Sequence, residues 1–116
     1  GIVVASAPVQ SIVANAKYFF AHGLGTTPSI FWATALCTDV GGDGGYSYLN
    51  NIFFSPGPII RGSSALHNFW VYNVGNTLCT FAQGSDPSVW QGARADTGAL
   101  FTLDAAKWQI YFKAGV

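Results

Sequence analysis

Proton transfer, metal binding and nucleophilic attack need histidine, cysteine or carboxylate side chains held close together. This chain has few of them: His22, His67, Cys37, Cys79 and five aspartates (Asp39, Asp43, Asp86, Asp96, Asp104), with no glutamate. The histidines lie far apart in the chain and neither has a paired acid nearby, so the spacing offers no metal-ligand set and no proton relay. His22 closes an alternating run just before Gly23 and is expected as a strand-end histidine whose ring hydrogen-bonds a loop carbonyl. Cys37 and Cys79 each sit in an apolar, strand-like run, which favours two half-buried thiols and leaves a single disulfide open for an exported chain. Asp39 and Asp43 lie beside or inside Gly41-Gly42-Asp43-Gly44-Gly45, where turn formation accounts for them. That glycine run lacks the Lys-Ser/Thr ending and the following helix of a phosphate loop. There is no Gly-x-Ser-x-Gly elbow, and no carboxylate pair stands in the setting that glycoside hydrolysis needs. An enzyme is not expected, a hydrolase ranks third among the functional readings, and no cofactor or metal is called for.

The aromatic residues, 16% of the chain, are more informative. Phe19, Phe20, Trp32, Trp108 and Phe112 fall on strand positions and are expected in the core. Tyr46, Tyr48 and Trp90 fall at loop edges, with Arg94 in the same irregular stretch as Trp90, and exposure is expected there. Exposed aromatic rings beside Asn, Asp or Arg groups can stack on sugars, but Tyr and Trp are also enriched where subunits meet. Both readings stay open for these residues, with subunit contact ranked first.

Charged residues are 9% of the sequence, against roughly 25% in an average soluble domain. The formal net charge is zero, and no basic run exists to neutralise a row of phosphates, so nucleic acid is not an expected partner. No apolar run reaches the length of a membrane-spanning helix. A neutral, charge-poor exterior opposes association only weakly. The expectation is a domain partly covered by copies of itself or by a larger assembly.

These side chains have to be positioned by strands. Gly, Pro and Asn punctuation recurs every ten or so residues, and no convincing amphipathic helix is present. Extended segments are expected at 2–5, 9–13, 17–22, 30–38, 46–54, 67–74, 77–82, 99–103 and 108–113. Gly75-Asn76 is read as a two-residue hairpin turn, and the last two segments as a final pair. Asp104 to Lys107 is read as one helical turn capped by Asp104. The stretch 83–97 is the longest irregular piece, and Gly41 to Gly45 a loop without regular structure. In the last strand Trp108, Ile110 and Phe112 should face inward and Gln109, Tyr111 and Lys113 outward. The fold class is all-β, an antiparallel sandwich of about six or seven short strands. Residues 1–16 are expected as an extended arm able to dock by strand addition, and 17–116 as the sandwich domain. Ala14-Asn15-Ala16 superficially resembles a signal-peptidase site but has no basic leader before it.

The run Ala21-His22-Gly23-Leu24-Gly25-Thr26-Thr27-Pro28-Ser29, then Leu36-Cys37-Thr38, Gly45-Tyr46 and the late Ala105-Ala106-Lys107-Trp108, resembles a small domain of bacteriophage virion proteins, often found at the ends of tail fibres. The resemblance spans about residues 17 to 112, with its specific part in the first thirty positions. It departs from the pattern at Leu49-Asn50, where a Gly-Asp pair is usual. Such domains look like H-type lectins, antiparallel sandwiches that assemble as trimers. The resemblance marks His22, Gly23, Leu24, Gly25 and Pro28 as the family's turn. It implies a homotrimeric structural protein on the virion surface, a fibre module or capsid decoration, assembled in the host cytoplasm. Its partners would be its own copies, other virion proteins held through the N-terminal arm, and bacterial surface polysaccharide. The alternative it leaves is a dedicated carbohydrate-binding receptor module at a tail-fibre tip.

Overall fold

The segment beginning at Ile30 is apolar on both faces and the one beginning at Trp108 alternates, and in the computed structural model these become the two longest strands. The structure describes residues 2–61, 64–86 and 90–116, and at 58–61 and 64–67 the backbone alone. Gly1 of the expected arm, residues 87–89 of the expected irregular piece and the His67 side chain lie outside the described residues. In chain order the strands are β1 (Val4–Ser6), β2 (Gln10–Ser11), β3 (Lys17–Ala21), β4 (Ile30–Cys37), β5 (Asn51–Phe54) and β6 (Pro58–Arg61). They continue as β7 (Ser64–His67), β8 (Phe69–Tyr72), β9 (Leu78–Gln83), β10 (Gln91–Ala93), β11 (Leu100–Thr102) and β12 (Trp108–Gly115). No helix occurs among the described residues, and every strand pairing is antiparallel.

Two sheets carry the core. The first runs β1-β12-β4-β5, with β2 also paired to β12, and the second runs β3-β9-β8. Their facing sides bury Ala33, Ala35, Cys37, Phe54, Ile110, Phe112 and Ala114 from the first against Phe20, Phe69, Cys79 and Phe81 from the second. Phe81 stacks on Phe112 across the gap at 4.7 Å between ring centroids, and Phe69 lies 5.3 Å from the same ring. Burying a side chain of this size contributes roughly 1.5–3 kcal/mol. The hairpins β6-β7 and β10-β11 lie off these sheets.

The all-β reading and the alternation of β12 hold, with Trp108, Ile110 and Phe112 buried and Gln109, Tyr111 and Lys113 half-buried. Several finer expectations need correction. Phe19, expected in the core, is 72% exposed, because Phe20 is the residue of that pair that turns inward. Trp32 stands half-buried on the outer side of β4, out of phase with buried Ala33 and Ala35. The strand expected from Tyr46 begins only at Asn51, since residues 46–50 are taken up by turns. β11 pairs with β10 instead of β12, whose neighbours are β1, β2 and β4. Asp104 caps no helix: its carboxylate accepts the Ala106 N–H at 3.0 Å in a turn closed from Lys107 N–H to the Asp104 carbonyl. The hairpin between β8 and β9 is also longer than two residues, with Asn73 at φ 50° and the Gly75 N–H bonded to the Leu78 carbonyl.

The N-terminal segment is woven into the sandwich. β1 and β2 pair with β12, and Ala7 and Ile12 belong to the core. Buried Gln83 fastens this segment from the opposite sheet. Its side-chain oxygen accepts the Val13 N–H at 3.0 Å and the Trp90 Nε1–H at 3.2 Å, and its Nε2 donates to the Ser11 carbonyl at 2.6 Å.

Candidate functional site

The glycine run is ordered by its own turn chemistry, contrary to the irregular loop expected. Asp43 and Tyr46 exchange both backbone hydrogen bonds, at 3.1 and 2.9 Å, around Gly44 and Gly45. With φ of 59° and 81°, these two residues form the kind of two-residue hairpin turn in which both central positions need positive φ. A Cβ on Gly44 would also run into the Phe101 ring, and one on Gly42 into the Tyr46 carbonyl oxygen. The Asp43 carboxylate accepts the Trp108 Nε1–H at 2.8 Å and the Asp104 N–H at 3.2 Å, which pins the hairpin to the start of β12. The Tyr46 hydroxyl donates to the Ala93 carbonyl at 2.7 Å, and its ring meets Trp108 edge-on at 5.6 Å.

An open cleft of about 510 Å³ is lined by Val40 to Ser47 together with Arg94. Arg94 is held in place by Asp96 through two parallel bonds, Nε to Oδ1 at 2.9 Å and Nη2 to Oδ2 at 2.8 Å. This pairing lowers the Asp96 carboxyl below its ordinary value of 3.8 and raises the guanidinium. Because the folded-state carboxyl is depressed, the pair is fully present above about pH 3.8 and is lost as the pH falls below it. Both groups are exposed, so the pair orients Arg94 more than it stabilises the fold.

The four aromatic and basic residues singled out from sequence therefore separate. Tyr46 and Arg94 both border the cleft. Tyr48 is 49% exposed and is the second residue of a turn closed from Asn50 N–H to the Ser47 carbonyl. Trp90 is not a surface residue: it is 1% exposed, stacked on Phe69 at 5.7 Å and met edge-on by Phe54 at 5.1 Å. Its position next to an irregular stretch misled, because the indole folds back into the core and finds its hydrogen-bond partner in Gln83.

The His22–Pro28 turn is a rigid structural unit. The Leu24 N–H donates to His22 Nδ1 at 3.1 Å, so Nε2 carries the proton and donates to the Gly75 carbonyl at 2.8 Å. Gly23 and Gly25 take positive φ, Pro28 is buried, and the Thr27 hydroxyl donates to Asn76 Oδ1 at 2.6 Å. The turn is thereby clipped to the β8–β9 loop, and the imidazole serves as a bracket between two backbones. Cys37 and Cys79 are free thiols buried in the core, and burial pushes the Cys79 thiol up, which suppresses its nucleophilic form. No three His, Cys, Asp or Glu side chains converge on a metal-sized site among the described residues.

Sequence reading missed the outer faces of the two sheets. On the three-stranded sheet, Phe19, Tyr72, Trp70 and Leu78 stand around Thr80 and Ala82, which are covered by these larger neighbours. On the other sheet, Trp32 and Phe53 stack outside at 6.2 Å. The signal lay in register: once Phe20 and Ala33 are placed inward, Phe19 and Trp32 must point out. No family model, curated protein or solved structure matches the chain.

Proposed function

We propose that this chain is a structural module of a bacteriophage virion, a fibre module or capsid-surface decoration, that works by self-association as a homotrimer. The observation that carries the self-association is the outer face of the β3-β9-β8 sheet, where Phe19, Trp70 and Leu78 are each at least half exposed around a floor of small residues. A sheet face of this kind has little reason to stay wet in a chain with so few charges to keep copies apart. The virion setting rests on the motif resemblance, whose turn residues His22 to Pro28 all take part in the clipped turn or lie within it. The open edge of β1 is where a neighbouring virion protein would add a strand.

Sedimentation equilibrium or light scattering should give three times the 12.3 kDa chain mass. A stable monomer at micromolar concentration overturns the self-association. A reconstruction of the particle tests the setting: density for this chain on the head surface makes it a decoration, density along or at the tip of a tail fibre makes it a fibre module, and its absence from the particle refutes the assignment. A second reading, a glycan-recognition module at a fibre tip, is favoured by the cleft beside Tyr46 and Arg94 and by the exposed Tyr48 ring.

A further inference from the structure

We infer that the His22 bracket is a proton-operated latch: the neutral imidazole holds the 22–28 turn against the β8–β9 loop, and protonation in mild acid releases both. The ring has one way to satisfy the two backbones it joins. Nδ1 must keep its lone pair to accept the Leu24 N–H at 3.1 Å, and Nε2 must carry the proton that goes to the Gly75 carbonyl at 2.8 Å. A second proton turns Nδ1 into a donor as well. Two N–H groups then face each other with no acceptor between them, at a residue only 6% exposed. The Leu24 amide loses its partner, and the buried charge has a single carbonyl to receive it, which makes the latched arrangement costly.

The surroundings offer the charged ring no compensation. The segments that enclose it, 20–28 and 73–78, hold no Asp, Lys or Arg. On the inner side of β3 and β9 the titratable groups are Tyr18 and Cys79, a phenol and a thiol. The inner faces of β4 and β12 add the Cys37 thiol and no acidic or basic side chain. The Phe20 ring lies 6.5 Å away between centroids, outside the ~6 Å at which an aromatic face steadies a cation. What the latch restrains is local. Leu24 and Val74 are the partly buried apolar residues that the turn and the loop pack against the core. Beyond the ring, the bond from the Thr27 hydroxyl to Asn76 Oδ1 at 2.6 Å joins the same two segments, but it is exposed, where water competes for both groups. The ring takes no part in any strand ladder, so its release leaves the two sheets paired.

The test is hydrogen exchange followed by NMR on the full chain at about pH 8 and about pH 5, the range in which a histidine changes charge. Rates are expressed as protection factors, so that the intrinsic pH dependence of exchange drops out. On acidification the Leu24 amide should lose protection about tenfold or more, the equivalent of one hydrogen bond, while the Ala35 and Ile110 amides keep theirs. Imidazole nitrogen shifts should report the Nε2–H tautomer of His22 at the higher pH. In His22→Asn, the side-chain oxygen takes the place of Nδ1 but cannot titrate, so Leu24 protection should be the same at both pH values. His67→Asn should leave the acid response as it is in the native chain. If His22→Asn folds poorly, the tautomer and the contrast between Leu24 and the core amides still decide. An Nδ1–H tautomer at the higher pH overturns the latch, as does a Leu24 amide equally protected at both. So does an acid response that survives in His22→Asn or vanishes in His67→Asn, or a loss of protection shared equally by Ala35 and Ile110.

Discussion

Leu49 is held at φ 68°, a conformation that disfavours any bulky side chain; the other non-glycine residues at positive φ among those described, Asn15 and Asn73, are of a type that tolerates it. It occupies the third position of the Ser47–Asn50 turn, where a positive φ calls for glycine. Relief of left-handed strain by glycine is worth ~1–2 kcal/mol, offset in part by glycine's greater entropy in the unfolded chain. Leu49→Gly should therefore stabilise by roughly 0.5–1 kcal/mol and raise Tm by ~3 °C, read by thermal denaturation; a lower Tm would show that Leu49 makes contacts that outweigh its strain. The same scale shows which site residues were legible. His22 could be recognised because a histidine at a strand end before glycine has nearby carbonyls to bond. Trp90 could not, because only the fold reveals that Gln83 lies within reach of its indole nitrogen.

Among the elements, the N-terminal segment depends most on a distant partner. Gln83 satisfies the Val13 N–H, the Ser11 carbonyl and the Trp90 indole at once, in a site that is almost fully enclosed. Gln83→Leu keeps the size but leaves these polar groups without their partner, at a cost of ~3 kcal/mol in total. Urea denaturation should show that loss, and hydrogen exchange should show the Val13 amide released from protection; a Val13 amide as slow as in the native chain would mean the segment does not rely on Gln83. The core positions of β12 were legible because period-two alternation marks an inner face directly, whereas β3 and β4 carry aromatic residues on both faces and Phe19 and Trp32 were misplaced inward. Partner choice was not legible. β11 follows a strong turn signal and precedes β12, yet it pairs back to β10, and no local residue pattern encodes which of two nearby strands completes a ladder. The short hairpin β6-β7 escaped for a related reason, since Pro56, Gly57 and Pro58 read as the end of structure and Pro58 in fact opens a strand, a place where proline is tolerated.

For the whole molecule, the proposed self-association has to be assigned to one of two outer faces. Both sheets carry aromatic residues on their outer sides, but the surroundings differ. The three-stranded sheet shows Phe19, Tyr72, Trp70 and Leu78 with Lys17 at the border, whereas the five-stranded sheet sets Trp32, Phe53, Ile30 and Val4 among Thr34, Tyr111 and Lys113. If copies meet on the first face, Phe19→Lys places an unpaired charge in a contact that must be dry. A cost of about 3 kcal/mol at the contact corresponds to more than a hundredfold in affinity. Light scattering on Phe19→Lys should show the mass falling toward a single chain while the thermal transition of the fold is preserved. A trimer of undiminished stability would move the interface elsewhere. Composition could suggest association; it could not say which face would carry it, because that depends on which aromatic of each alternating pair the core claims.

The central position of β12 also governs when the molecule can come into being. This strand supplies the partner for β1, β2 and the whole of β4, yet its residues follow all of theirs in the chain. As a nascent chain leaves the ribosome, Val4 waits for Gly115 and Gln10 for Ile110, so the larger sheet cannot close until synthesis has passed both. The smaller sheet can assemble earlier, since β3, β8 and β9 are complete by Gln83. Until then β4 presents an apolar strand with one side unpaired, a natural substrate for a holding chaperone. The yield of folded protein should accordingly depend on how quickly translation delivers the residues of β12.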